Sequence, residues 1–161
     1  QEESDFKLIV APHEVDRSNL RRLKDLFAPF GLSIFSDTNW QPTHRVLLVD
    51  TVGQLAALYK YGHLALVGGG LGKGLHSTVE PLAKKVPVAF GPNHQKFVEP
   101  SEMIAAGIGF ELKKASDFLP LINHLQQPSR RKALAKKISL YLKEKTGASV
   151  RIVLELQGLK K

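Results

Sequence analysis

Short apolar runs alternate with longer amphipathic stretches along the whole chain. Residues 6–11, 45–50, 64–68 and 86–90 are apolar, carry β-branched residues and end at Pro, Gly or Asp. Strands buried on both faces of a parallel sheet read this way, as continuous runs and not as a polar/apolar alternation. Weaker strand patterns lie at 32–35 and 109–112. Between them, apolar positions recur with helical spacing at 18–27, 52–61, 75–84, 97–106, 116–125 and 129–145,. Segment 150–156 fits either a strand or a helix; Gly147 and Ser149 ahead of it resemble a stop and a cap, which favours helix,. Strand and helix in alternation predict an α/β fold, a doubly wound, Rossmann-like parallel sheet. Ligands of such sheets bind outside the carboxyl ends of the strands. The 161 residues suit a single domain, and no internal repeat is visible,.

Composition narrows the function classes. The chain has no cysteine, which excludes disulfides and thiolate metal sites and points to a reducing compartment,. No apolar run approaches the ~18 residues of a membrane span. Residues 1–5, Gln-Glu-Glu-Ser-Asp, lack the basic and apolar regions of a signal peptide, so a domain excised from a cytosolic protein is expected,. The net charge of +8 is placed unevenly. Residues 1–127 are balanced, whereas residues 128–161 hold ten Lys/Arg against only Glu144 and Glu155. Arg130, Arg131, Lys132, Lys136 and Lys137, interleaved with Ala133, Leu134, Ile138 and Tyr141, predict a basic amphipathic helix. Such a helix suits an anionic membrane surface, an acidic ligand or simply a solvated face. Nucleic acid is disfavoured, because Tyr141 is the only aromatic residue after Phe118 and readers of RNA stack bases on aromatics,.

The densest signal is residues 64–81, an apolar run followed by five glycines in seven positions, Gly68, Gly69, Gly70, Gly72 and Gly74, and then helical character. Glycines let backbone N–H groups approach a ligand, and the N-terminus of a following helix adds its dipole, so the junction is suited to an anion such as phosphate. It is not a P-loop: Val67 stands where the first glycine should be, and Gly74 follows Lys73 in place of Ser or Thr,. Nor is it the dinucleotide fingerprint, since no frame of G-x-G-x-x-G fits,. Three more loops fall at strand ends: Pro12-His13-Glu14, Asp50-Thr51-Val52-Gly53-Gln54-Leu55, and Gly91-Pro92-Asn93-His94-Gln95-Lys96-Phe97.

These four loops, in this order and over almost the whole chain, resemble the C-terminal donor-binding half of the 3-deoxy-D-manno-octulosonic acid (Kdo) transferases, glycosyltransferases of the GT-B type. The family patterns run approximately P-[RH]-x-E, D-T-x-G-E-L, V-G-G-[GS]…G-x-H-N-x-x-E-P and G-P-x…F. Two positions depart from them: Gln54 replaces a Glu and Ser77 an Asn. The resemblance implies a donor, CMP-Kdo, and a product, Kdo attached to the lipid A precursor, made at the cytoplasmic side of the inner membrane. It implies no cofactor and no metal, and the sequence has no D-x-D pair to hold a diphosphate-bound Mg²⁺. Acceptor site and acidic general base belong to an N-terminal domain outside this chain, so no catalytic residue is assigned here.

The implied donor-binding residues are His13, Thr51, Gly53, Gln54, Gly70, Gly72, Lys73, Gly74, His76, Ser77, Glu80 and Asn93. The N–H groups of Leu75 and His76, with Lys73, would stabilise charge on the departing CMP. Glu80, four residues after His76 on one helix face, would accept hydrogen bonds from the ribose diol, about 1.5–3 kcal/mol each. Alternatives stay open at several positions. His13 reads equally as an ordinary loop residue, Thr51 as a helix cap, and Gly91-Pro92-Asn93 as a plain turn. His44, His63 and His124 have no partner pattern. Two rival functions remain: the donor half of another GT-B enzyme using a nucleotide-diphosphate sugar, and a nucleotide- or RNA-binding module.

Overall fold

The computed structural model describes residues 6–70 and 74–158. The chain divides into two compact units, Gln1–Leu58 and Tyr59–Lys161. Every strand pairing is parallel, in two three-stranded ladders ordered β1-β3-β2 and β4-β5-β6. The parallel α/β class expected from the alternation is observed, and all six strand patterns form strands.

The first unit contains β1 (Leu8–Val10), α1 (Arg17–Phe27), β2 (Leu32–Ile34), β3 (Val46–Leu48) and the single turn α2 (Leu55–Leu58). Central β3 pairs Val46 with both Leu8 and Leu32. Its Val46 and Leu48 are buried, as is Val49 beyond it. Helix α1 starts at Asp16, whose carboxylate accepts from the N–H groups of Ser18 (2.9 Å) and Asn19 (3.0 Å), two donors that the helix itself cannot satisfy,.

The second unit contains β4 (Ala65–Val67), α3 (Val79–Ala83), β5 (Val88–Phe90), α4 (Val98–Ala105), β6 (Gly109–Glu111), α5 (Phe118–Gln126), α6 (Pro128–Lys145) and α7 (Ala148–Gly158). Strand β5 is central and wholly apolar, and Val88, Ala89 and Phe90 are completely buried. Val88 and Phe90 pack with Leu82, Met103, Ile108, Leu125 and Ile138 in one core. Helix α6 follows α5 after a break at Gln127, with Pro128 opening it, where a missing N–H is harmless,. Arg131 of α6 donates from Nη1 to the carbonyls of Leu125 and Gln126, both at 2.7 Å, and so satisfies the end of α5,. The helical reading of 150–156 holds, within α7.

One element differs from expectation in a way that matters for the site. The helical pattern at 75–84 predicts a helix from Leu75, but α3 begins at Val79. The cause is Pro81. A helix from Leu75 would place Pro81 in its interior, where the ring clashes with the preceding turn and an N–H is missing. Starting at Val79 puts Pro81 in the first turn, where its lack of a donor does no harm.

Candidate functional site

Parallel pairing brings the carboxyl ends of β4, β5 and β6 to one edge of the second unit, with Val67, Phe90 and Glu111 in register. The chain leaves β4 through Gly68-Gly69-Gly70. Gly69 has φ +88, and a Cβ there would strike the carbonyl of Gly74. Gly70 lies against the next loop: a Cβ on it would stand 2.8 Å from the Gly91 nitrogen and 3.0 Å from the Gly91 oxygen. The N–H of Asn93 donates to the Gly70 carbonyl at 2.9 Å. These two glycines therefore let the chain pack on itself. Gly74 differs, because nothing described lies within 4 Å of its Cβ position, so a ligand can approach its backbone.

The expected anion site on the N–H groups of Leu75 and His76 needs correction. With the helix starting at Val79, neither residue is helical, and the N–H of His76 donates to the Gly68 carbonyl at 3.2 Å. The spacing that set Glu80 on one helix face with His76 is likewise not realised. Glu80 instead sits in the first turn of α3, exposed. Its charge is felt at Tyr59, whose phenol is pushed up by burial first and by the Glu80 carboxylate second.

Gly70, Gly74, His76, Ser77, Glu80 and Asn93 thus lie on the two loops leaving β4 and β5 and on the start of α3. Gly70 is buried, while Gly74, His76, Ser77, Glu80 and Asn93 are exposed. Gly72 and Lys73 lie outside the described residues. His13, Thr51, Gly53 and Gln54 belong to the first unit, on the loops that follow β1 and β3.

In that unit, His13 borders an open concavity of about 490 Å³ with Glu14, Asp16, Ser18, Asn19 and Arg22. The Thr51 hydroxyl is buried and has no hydrogen-bond partner among the described residues, so it does not cap α2. Gln54 takes the capping place, its carbonyl accepting from the N–H groups of Ala57 and Leu58, each at 3.1 Å. Gly53 has φ +88 and open space where a Cβ would stand. Beside Thr51, burial pushes the Asp50 carboxyl up, but the hydroxyl (2.6 Å) and N–H (3.0 Å) of Ser36 outweigh it and hold Asp50 below the ordinary range.

One pair escaped the sequence reading. His94 is 5% exposed, and its Nε2 lies 2.6 Å from Oε2 of Glu111, the last residue of β6. Seventeen residues separate the two, and only the parallel register of β5 and β6 brings them together. The histidines without a pattern are structural where contacts are resolved. His44 bonds the Ser33 hydroxyl at 3.0 Å, and Arg130 donates to Nδ1 of His124 at 2.6 Å. Among the described residues, no cluster of three or more His, Asp or Glu is placed to hold a metal ion.

No protein-family model matches the chain. Curated relatives do. A 3-deoxy-D-manno-octulosonic acid transferase from Aquifex aeolicus is 31% identical over 124 residues, covering 76% of this chain and 34% of that protein. One from Chlamydophila psittaci is 30% identical over 144 residues, covering 86% and 33%. One from Haemophilus influenzae is 33% identical over 117 residues, covering 70% and 27%. The chain spans about a third of the length of the curated relatives it matches. Among solved structures, the C-terminal CMP-Kdo binding domain of WaaA from Acinetobacter baumannii superposes with a TM-score of 0.71 at 22% identity, covering 84% of this chain and 73% of that one.

The fold is therefore that of the C-terminal, parallel α/β half of a GT-B glycosyltransferase. Its loops leave the carboxyl edge of the strands, where such folds bind ligands. The chain is a homologue of the Kdo transferases.

Proposed function

We propose that this chain is the donor-binding part of a Kdo transferase and holds CMP-Kdo at the carboxyl edge of β4 and β5. The observation that carries this reading is the pair of interlocked loops at that edge. Gly70 is closed against Gly91, and beside them Gly74 offers open backbone. The similarity to a solved CMP-Kdo binding domain supports the choice of ligand. In this reading Lys73 and the backbone at Gly74 meet the single phosphate, and Glu80 accepts from the ribose hydroxyls. Asn93 and Ser77 offer side-chain hydrogen bonds to the sugar. Transfer breaks the bond between the phosphate and Kdo, and CMP departs with an extra negative charge. In this reading the positive charge of Lys73 offsets the charge gained by CMP. The acceptor, the lipid A precursor, and the general base lie with the parts of the enzyme outside this chain.

We also propose that α6 faces an anionic membrane surface at the cytoplasmic side of the inner membrane. Arg130 and Arg131 are hydrogen-bonded to α5, which holds their guanidinium groups towards the end of that helix. Lys132, Lys136 and Lys143 remain exposed at helical spacing that sets them on one face, with half-exposed Leu140 beside them,. Each lysine near such a surface adds about 1 kcal/mol. Among the described residues no helix is long and apolar enough to cross a membrane.

Calorimetric titration of the chain with CMP, UDP and GDP, in EDTA, tests the donor reading. CMP is expected to bind without metal and more tightly than either diphosphate. Preference for UDP or GDP, or a strict need for Mg²⁺, would favour a nucleotide-diphosphate enzyme. Co-sedimentation with anionic and neutral vesicles tests the membrane reading, and equal sedimentation with both would remove it.

A further inference from the structure

We propose that His94 and Glu111 form a latch that positions the donor loops, acting through the backbone without touching the ligand; this rests on the donor site described above. Strand β5 leaves the sheet at Phe90 and turns at once through Gly91-Pro92-Asn93 into His94. The His94 ring is buried beneath that turn, with the edge of one ring against the face of the other at Phe90, centroids 5.0 Å apart. A carboxylate oxygen only accepts, so Nε2 carries the hydrogen and donates to Glu111 at 2.6 Å,. The other ring nitrogen, Nδ1, is buried and has no hydrogen-bond partner among the described residues. Glu111 is thus the only polar tether of this imidazole among the described residues.

What the ring holds is the neighbouring backbone. His94 N–H donates to the Pro92 carbonyl and Phe97 N–H to the His94 carbonyl, both at 2.9 Å, so the turn moves as a piece with the ring. Asn93, one residue earlier, donates to Gly70 at 2.9 Å, and Gly70 is closed against Gly91. A connected series therefore runs from the end of β6 through Glu111, His94 and Asn93 to the glycine loop after β4. Lys113 adds little: its Nζ is 3.6 Å from the other Glu111 oxygen and its side chain is 77% exposed, so water screens it,. With the tether cut, the buried imidazole loses the polar partner that Glu111 supplies, and the turn is free to shift away from Gly70.

Amide hydrogen exchange of the free chain, followed by NMR, reads the latch directly, and CMP titration reads its consequence. Glu111→Leu removes the acceptor at similar size; Glu111→Gln keeps an acceptor oxygen. In Glu111→Leu the Asn93 amide should exchange about ten- to a hundredfold faster, relative to the amides of β5, and CMP should bind about tenfold more weakly. Glu111→Gln should restore most of both. If Glu111→Leu loosens the whole unit, so that β5 amides accelerate equally, His94→Leu is the second variant, and it should free Asn93 selectively. Unchanged Asn93 exchange in the Leu variants, or equal effects of Leu and Gln at position 111, would overturn the latch. So would faster exchange with unchanged CMP affinity. If the unaltered chain binds no CMP, the donor reading fails; Asn93 exchange still decides whether the tether holds the turn.

Discussion

Replacing Gly70 and Gly74 separately should divide folding from binding, although both glycines belong to the same loop. At Gly70 a methyl group would meet main-chain atoms, 2.8 Å from the Gly91 nitrogen and 3.2 Å from its Cα. Backbone cannot rotate aside as a side chain can. The loops must separate, stretching the Asn93 to Gly70 hydrogen bond as they do. Overpacking of this kind costs about 1–3 kcal/mol. For a chain of this size each kcal/mol lowers Tm by about 2–4 °C, so Gly70→Ala should melt about 2–12 °C below the unaltered protein. At Gly74 the same methyl enters open space, and stability should stay within about 0.5 kcal/mol,. There the methyl instead occupies the approach to the backbone, and CMP affinity should fall about tenfold, equivalent to about 1.4 kcal/mol. Thermal melting by circular dichroism and calorimetric CMP titration of both variants are sufficient. A Gly70→Ala protein as stable as its parent would refute the close approach of the two loops. A Gly74→Ala protein with normal stability and normal CMP binding would refute the placement of the ligand.

Three further outcomes are expected. Glu80→Gln should weaken CMP binding by about 1–3 kcal/mol while leaving Tm unchanged, and an unaltered Kd would limit Glu80 to a structural part. Tyr141, raised to about 12 by burial and by its 3.0 Å hydrogen bond to Glu102, should lose its proton well above 10.0 in an ultraviolet titration, and Glu102→Gln should bring it down. Because the folded value is the higher one, the stability from this phenol is complete below pH 10 and declines as pH rises towards 12,. Asp50 has the opposite sign. Its lowered folded value means that its contribution is present above 3.8 and is lost as pH falls through the folded value, and Ser36→Ala should move its NMR titration upward,.

The strands were legible as short apolar runs, most plainly Val88 to Phe90, which is covered on both faces, although Ile9 of β1 and Leu66 of β4 are exposed,. The order of the loops was legible for the same reason, since each follows a run that ends at Gly, Asp or Pro. The start of α3 was not, because the apolar spacing of 75–84 is helical while Pro81 excludes the turn from Leu75 to Thr78; chain geometry overrode periodicity,. The role of Gly69 and Gly70 was half legible. Glycine announces close approach but not to what, and the partner is the Gly91 and Gly74 backbone. The basic segment was read as one face, yet two of its arginines turn to the end of α5, a choice that depends on the sharp break at Gln127. His94 and Glu111 carried no local signal at all. Glu111 stands inside the strand pattern at 109–112, and it meets His94 only because β5 and β6 are neighbours in register.

The most direct test of the central claim is an NMR titration of the isotope-labelled chain with CMP in EDTA. Amide shifts are expected at residues 68–70, 74–80, 91, 93 and 94, saturating together, with the face of α6 bearing Lys132 and Lys136 unmoved. Shifts confined to the concavity beside His13 and Arg22, or to α6, or no saturable shifts at all, would contradict a donor nucleotide held at the carboxyl edge of β4 and β5.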